Sequence, residues 1–199
     1  MLNQNIDAFQ MGPDNKFASV VQGENKKANA PIIIAHPKYL MKCGLEKRLK
    51  SLGRVVRSIC ILDHPIQHTN ESTSLQLIIP QRQLNRHHDI FICMVSNIHS
   101  VCKKGYYIAV VSTFVETSVP EHELKPAFEL LEPIVEKFTT ITEVYEPVNL
   151  GKPDDNIYCT RSQDATSHFE NEANDVCRIY EQIMGKELDL VNLPDDPEY

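Results

Sequence analysis

The chain predicts an α/β (α+β) fold, with mixed and antiparallel sheet and two main helices, on three observations. The continuous apolar run Ile32-Ile33-Ile34-Ala35 is ended by His36-Pro37, and such a run suits a strand buried on both faces of a parallel sheet. Four β-rich runs, at residues 55–62, 75–79, 89–95 and 106–115, follow one another with no long helix between them, which indicates antiparallel or mixed pairing. Two later segments place their apolar residues at a period of 3.6, the spacing of one helix face.

The elements follow in order. Ile6 and Ala8 are separated from the run at 17–21 by Gly12-Pro13-Asp14-Asn15, a strong turn signal, and Gly23-Glu24-Asn25 supplies another turn. The opening segment is therefore a small meander. Pro37 forces the chain out of the ladder after residues 32–35, and residues 40–52 are basic and weakly helical. Asp63-His64-Pro65 stops the run at 55–62, and Lys103-Lys104-Gly105 is among the polar breaks that follow.

Ser118, with Glu121 three residues later, has the form of a capping box at a helix start. Leu124, Phe128, Leu131, Val135 and Phe138 share one helical stripe, which Pro126 and Pro133 should kink or split. On that reading Glu121, Glu123, Glu129, Glu132 and Glu136 form the wet face. Residues 157–160 are a short strand. Asp164 is an N-cap for a helix from about 165 to 184, with Phe169, Ala173, Val176, Tyr180 and Ile183 as its stripe and Gly185 as its C-cap.

Composition excludes several function classes. The formal net charge of the 199 residues is -7, fairly evenly spread, which disfavours a protein that tracks nucleic-acid phosphates. No apolar run reaches the roughly 20 residues of a membrane helix, and the start lacks the pattern of a signal peptide, so a cytosolic (cytoplasmic) location is expected. The six cysteines never form C-x-x-C, which reads as core thiols rather than a metal cluster.

Neither G-x-G-x-x-G nor G-x-x-x-x-G-K-[ST] occurs, so no phosphate-cradling loop is expected here; G-x-S-x-G is missing too. His64 and His68 are four apart, but Pro65 breaks any helix that would align them. His87-His88 lies in a polar loop expected to be solvated, and Asp164 with His168 has the spacing of a helix cap and an ordinary first-turn residue. No catalytic constellation emerges, and none of these side chains is assigned a catalytic, cofactor or metal role.

The order of the blocks carries more. Residues 56–66, VRSICILDHPI, are followed by Ile78-Ile79-Pro80-Gln81, Gln83-Leu84-Asn85-Arg86 and residues 89–96, DIFICMVS. Then come Tyr107-Ile108-Ala109-Val110-Val111-Ser112-Thr113, Val115-Glu116-Thr117, Glu129-Leu130-Leu131-Glu132-Pro133-Ile134, Asp164-Ala165-Thr166 and His168-Phe169-Glu170. In order and spacing they resemble the C-terminal part of the Rab GDP-dissociation inhibitor (GDI) family, over nearly the whole chain.

The resemblance implies a portion of a GDI/flavoprotein-like multi-sheet domain, with residues 1–190 as the C-terminal part of its large domain. Residues 191–199 would be a mobile acidic tail, and the N-terminal half and helical domain of the family would lie outside this chain. It implies no enzymatic activity and no cofactor. It further implies partners that are prenylated, GDP-bound Rab GTPases, whose GDP release is slowed and which are recycled between membrane and cytosol in vesicle trafficking; any membrane encounter would be transient and through Rab. Met1, in Met1-Leu2-Asn3, matches the last position of the Rab-binding platform. Related alternatives are a Rab escort protein, which assists prenylation, or an inactive fragment lacking that platform. A flavin-dependent oxidoreductase is disfavoured by the missing glycine fingerprint. The strand at 32–35 would normally join partners from the family's N-terminal half, so the chain alone is expected to expose apolar surface and to be poorly stable or to associate.

Overall fold

The computed structural model describes residues 6–23, 26–166 and 169–190. Met1, His168 and the tail at 191–199 therefore lie outside the described residues. The chain divides into two compact units, one formed by residues 1–50, 145–162 and 169–199 and the other by 51–144 and 163–168.

The first unit opens with the expected meander. Strands β1 (Ala8–Met11), β2 (Phe17–Gln22) and β3 (Lys26–Asn29) pair antiparallel in that order. Asn15 supplies the positive φ of the first turn, and Phe9 meets Phe17 edge-to-face at 5.9 Å. Strand β4 (Ile33–Ala35) lies parallel to a later strand, Ile157–Cys159, which is β10. The parallel pairing is as expected, but burial on both faces is not: Ile34 is 54 % exposed among the described residues. A two-stranded parallel pair covers only part of such a strand.

Helix α1 (Pro37–Lys42) starts at the proline that ends β4, where a missing N–H costs nothing, and His36 Nδ1 accepts from Lys38 N at 3.2 Å. A 3-10 turn (Glu46–Arg48) follows. The weak helical reading of 40–52 holds only at its start. From Leu49 the chain belongs to β5 (Leu49–Leu62), because β5 lies between two neighbours in a sheet and pairing overrides local propensity.

The second unit is built on that five-stranded sheet. Its members are β5, β6 (Ser74–Ile79), β7 (Ile90–Ser96), β8 (Tyr107–Phe114) and β9 (Glu136–Pro147), in the order β6-β7-β8-β5-β9. The β6–β7, β7–β8 and β8–β5 pairs are antiparallel. Period-two alternation puts Ile90, Ile92 and Met94 of β7 on one face with Ala109 and Val111 of β8 and Val56, Cys60 and Leu62 of β5, all buried. Leu124, Ala127, Phe128 and Leu131 close that face. The opposite face holds a smaller cluster of Val55, Val144 and Ala165.

The expected helix after residue 118 is much shorter than its stripe suggested. A 3-10 segment (Pro120–Leu124) leads into α2 (Lys125–Leu131), and the strand β9 begins at Glu136. Pro126 falls in the first turn of α2, where it is harmless, and the helix stops before Pro133, as the residue preceding a proline usually requires. Val135 and Phe138, counted as helical, lie beyond α2 and are exposed. Phe138-Thr139-Thr140-Ile141-Thr142 is a β-rich run that outweighs the helical spacing.

The capping box does not form either. Val119 is the N-cap of the 3-10 segment and has no side-chain cap, while Thr117 Oγ1 accepts from Val119 N at 3.3 Å. The last helix, α3 (Glu170–Met184), starts later than expected: Asp164 accepts instead from Thr166 N and Oγ1 at 2.7 and 2.6 Å, a local turn. Gly185 ends α3 with φ 69°, the left-handed C-cap the sequence predicts. The apolar stripe of α3 is not its buried face. Asp175 and Ile179 are buried, while Phe169, just before the helix, is 85 % exposed and Val176 is exposed on it.

Candidate functional site

Two polar arrangements stand out, one in each unit. In the second unit, Arg86 lies in the loop after a 3-10 turn (Gln81–Gln83). Its guanidinium meets Glu123 Oε2 at 2.6 Å, Glu116 Oε1 at 3.4 Å and the Phe114 carbonyl at 3.0 Å. The Glu123 side chain is 3 % exposed and that of Arg86 11 %. Glu123 also accepts from the backbone N–H of Glu116 at 3.1 Å and of Thr117 at 2.8 Å, and from Thr117 Oγ1 at 2.7 Å. Glu116 accepts from His87 N at 3.1 Å and His88 N at 2.9 Å, and lies 3.0 Å from His88 Nδ1.

This corrects one expectation. Glu123 is not on a wet helix face but is a buried acid that ties the segment after β8 to the loop before β7. His87 and His88 are exposed, as expected of a solvated loop, although Arg86 and Glu116 pin it and the His88 ring stacks at a tilt on Phe114, 5.0 Å away. Burial raises both glutamate carboxyls, but the hydrogen bonds outweigh it. Thr117 and Arg86 leave Glu123 below the usual carboxyl range, and the His87 N–H, the His88 ring and Arg86 do the same for Glu116. Glu123 and Glu116 are both held by Arg86 and by backbone N–H groups, which ties this segment together.

In the first unit, a cleft of about 430 Å³ is lined by Lys47, Arg48, Lys152, Asp155, Cys159 and Arg178, among others. Arg48 and Asp155 form a forked ion pair, with Arg48 Nη1 to Asp155 Oδ1 at 3.2 Å. Asp155 also accepts from Ile157 N, and its carbonyl receives Phe17 N at 2.7 Å, so this one residue joins β2, β10 and the chain before β5. Arg178 on α3 bonds Asp175 Oδ1 at 2.6 Å and the Cys159 carbonyl at 2.9 Å. Burial pushes the Cys159 thiol up to about 11, so it is protonated and poorly nucleophilic at neutral pH. In this cleft Arg48 is paired with Asp155 and Arg178 with Asp175, beside a protonated thiol.

Among the described residues, no three His, Cys, Asp or Glu side chains are placed to hold a metal ion. His64 bridges the carbonyls of Pro65 and Pro133 at 2.7 and 3.0 Å, a structural role in an irregular segment. His68 takes a positive φ in the same loop. Sequence reasoning missed Arg86, Glu123, Arg48 and Asp155. Only the paired Arg86 and Glu116 sit within blocks that looked distinctive; the Arg48–Asp155 pair carries no local signal.

The comparisons with known proteins agree with one another. The family described as GDP dissociation inhibitor matches residues 1–195. The chain is 45 % identical over 194 residues to a probable secretory pathway GDP dissociation inhibitor 1 of Schizosaccharomyces pombe, covering 98 % of the chain and 42 % of that relative. It is 46 % identical to Rab GDP dissociation inhibitor beta of Rattus norvegicus, covering 96 % of the chain and 41 % of that protein. The chain thus spans about two-fifths of the length of the curated relatives it matches. A crystal structure of RAB GDI from Plasmodium falciparum superposes with a TM-score of 0.83 at 43 % identity, over 93 % of the chain and 41 % of that structure. A flavin-dependent halogenase from Brevundimonas reaches a TM-score of 0.55 at 7 % identity, covering 92 % of the chain and 37 % of that structure, a likeness of fold alone. On this agreement of sequence and structure, the chain belongs to the GDP dissociation inhibitor family.

Proposed function

We propose that this chain acts in the regulation of Rab GTPases as a GDP dissociation inhibitor, a binding protein that performs no turnover of its own. The observation that carries the reading is 45 % identity over 98 % of the chain to a GDP dissociation inhibitor. The site geometry is compatible with it: Glu123 and Asp155 are held in ion pairs with Arg86 and Arg48, and the thiol in the cleft is protonated. Its binding partner in this reading is the GDP-bound, prenylated form of a Rab protein. Slowing GDP release requires tighter binding to that form than to the nucleotide-free one. Residues 1–190 would form the C-terminal part of the family's larger domain, and Met1 the edge of the Rab contact. No helix among the described residues is long and apolar enough to cross a membrane, which is compatible with work in the cytosol.

The test is capture of geranylgeranylated Rab on the immobilised chain, with GDP-loaded and GTP-loaded protein side by side. Selective retention of the GDP form, by roughly tenfold or about 1.4 kcal/mol, is the expected outcome. Equal retention of both forms, or none of either, would defeat the proposal.

A further inference from the structure

The hairpin joining β7 to β8 has a composition unlike the rest of the chain. From Ile90 to Val115 there is no aspartate or glutamate, although the chain as a whole is at -7. Its tip runs Asn97-Ile98-His99-Ser100-Val101-Cys102-Lys103-Lys104-Gly105-Tyr106. Ile98 is 66 % exposed and Val101 50 %, and Tyr106 is exposed beside them. These aliphatics are not loose ends of a floppy loop. Ser96 Oγ caps a 3-10 turn (Asn97–His99) by accepting from Ile98 N, and Ser100 N donates to the Asn97 carbonyl at 2.9 Å. Tyr106 N donates to the Lys103 carbonyl at 3.0 Å, and the Cys102 thiol donates to the Tyr106 carbonyl at 3.1 Å. Several local bonds therefore hold two aliphatic side chains out to solvent on a turn that also carries two lysines.

We propose that this tip, residues 97–106, docks on the surface of a bilayer that carries anionic lipids. The chemistry selects that partner over a protein groove. Two aliphatics and a tyrosine at a hairpin tip insert shallowly among acyl chains and headgroups, while lysine ammoniums beside them meet headgroup phosphates and carboxylates. A ten-residue tip offers little area for a stable protein interface, and the hairpin carries no acid of its own to repel an anionic membrane. Asp63 and Glu71 lie in the loop between β5 and β6, which opens at the same end of the sheet. The attraction is therefore short-ranged, and two lysines make it weak and reversible.

The test is flotation of the full chain with phosphatidylcholine vesicles, with and without phosphatidylserine, and no GTPase present. Because the vesicles carry no protein, the result is independent of the Rab reading. Binding is expected only with phosphatidylserine and should fall as salt is raised. Ile98→Ser with Val101→Ser, and separately Lys103→Gln with Lys104→Gln, should each weaken it by roughly tenfold, with circular dichroism unchanged because all four side chains are surface groups. A control pair, Phe169→Ser with Val176→Ser, removes exposed apolar surface from the other unit and should leave binding intact. No binding to either vesicle, binding unaltered by both tip pairs, or a loss as large in the control pair would each overturn the proposal.

Discussion

Replacing Glu123 by alanine is expected to destabilise the chain by about 3–5 kcal/mol, far more than any other glutamate in the segment 121–136. The carboxylate is 3 % exposed and meets Arg86 at 2.6 Å, so its removal strands a guanidinium that has little access to water. The N–H groups of Glu116 and Thr117 lose an acceptor at the same time. Urea denaturation followed by circular dichroism reads the change, since the chain has no tryptophan. Glu121→Ala is the companion measurement, and similar losses at both positions would refute the assignment. Combining Glu123→Leu with Arg86→Met removes both charges and should restore most of the stability, because the penalty lies in the orphaned partner.

The same cluster sets an acid dependence. Glu123 and Glu116 are both held below the usual carboxyl range, so near pH 4 the unfolded chain binds protons that the folded chain does not. Their contribution is complete above the ordinary glutamate range of roughly pH 4–5 and is lost as the pH falls through the lower folded values. The Glu123→Ala chain should lose less stability over that interval than the parent. An equal or steeper fall would contradict the ion-pair account.

The second large effect is expected from α2. Leu131 is fully buried against the sheet face formed by Ile92, Met94 and Val111, and Leu131→Ala should cost about 2–5 kcal/mol through lost burial and the cavity left behind. Its neighbour Leu130 is exposed, and Leu130→Ala should change stability by no more than about 0.5 kcal/mol. The contrast within one dipeptide tests which face of the short helix is buried. If the two urea midpoints shift alike, the packing of α2 described above is wrong.

Much of the fold was legible before any coordinates. The strands at 74–79, 90–96 and 107–114 were legible as β-rich runs bounded by polar or turn-forming segments, and that signal is local. Gly12-Pro13-Asp14-Asn15 announced its turn for the same reason. The segment 132–138 was misread because two local signals conflicted: helical spacing through Phe138, and the β-branched residues after it. Pairing in the sheet favoured the second. The late start of α3 came from Asp164, whose side chain can cap a turn as readily as a helix.

What the sequence determined by itself is the family and the layout of the central strands, since both reside in the order of residues along the chain. Only the tertiary structure decided which of several glutamates is buried and which arginine answers it. Arg86 and Glu123 lie 37 positions apart, and Arg48 and Asp155 lie 107 apart. No periodicity spans such distances; the contact between each pair exists only once the intervening strands have folded and brought the charges together.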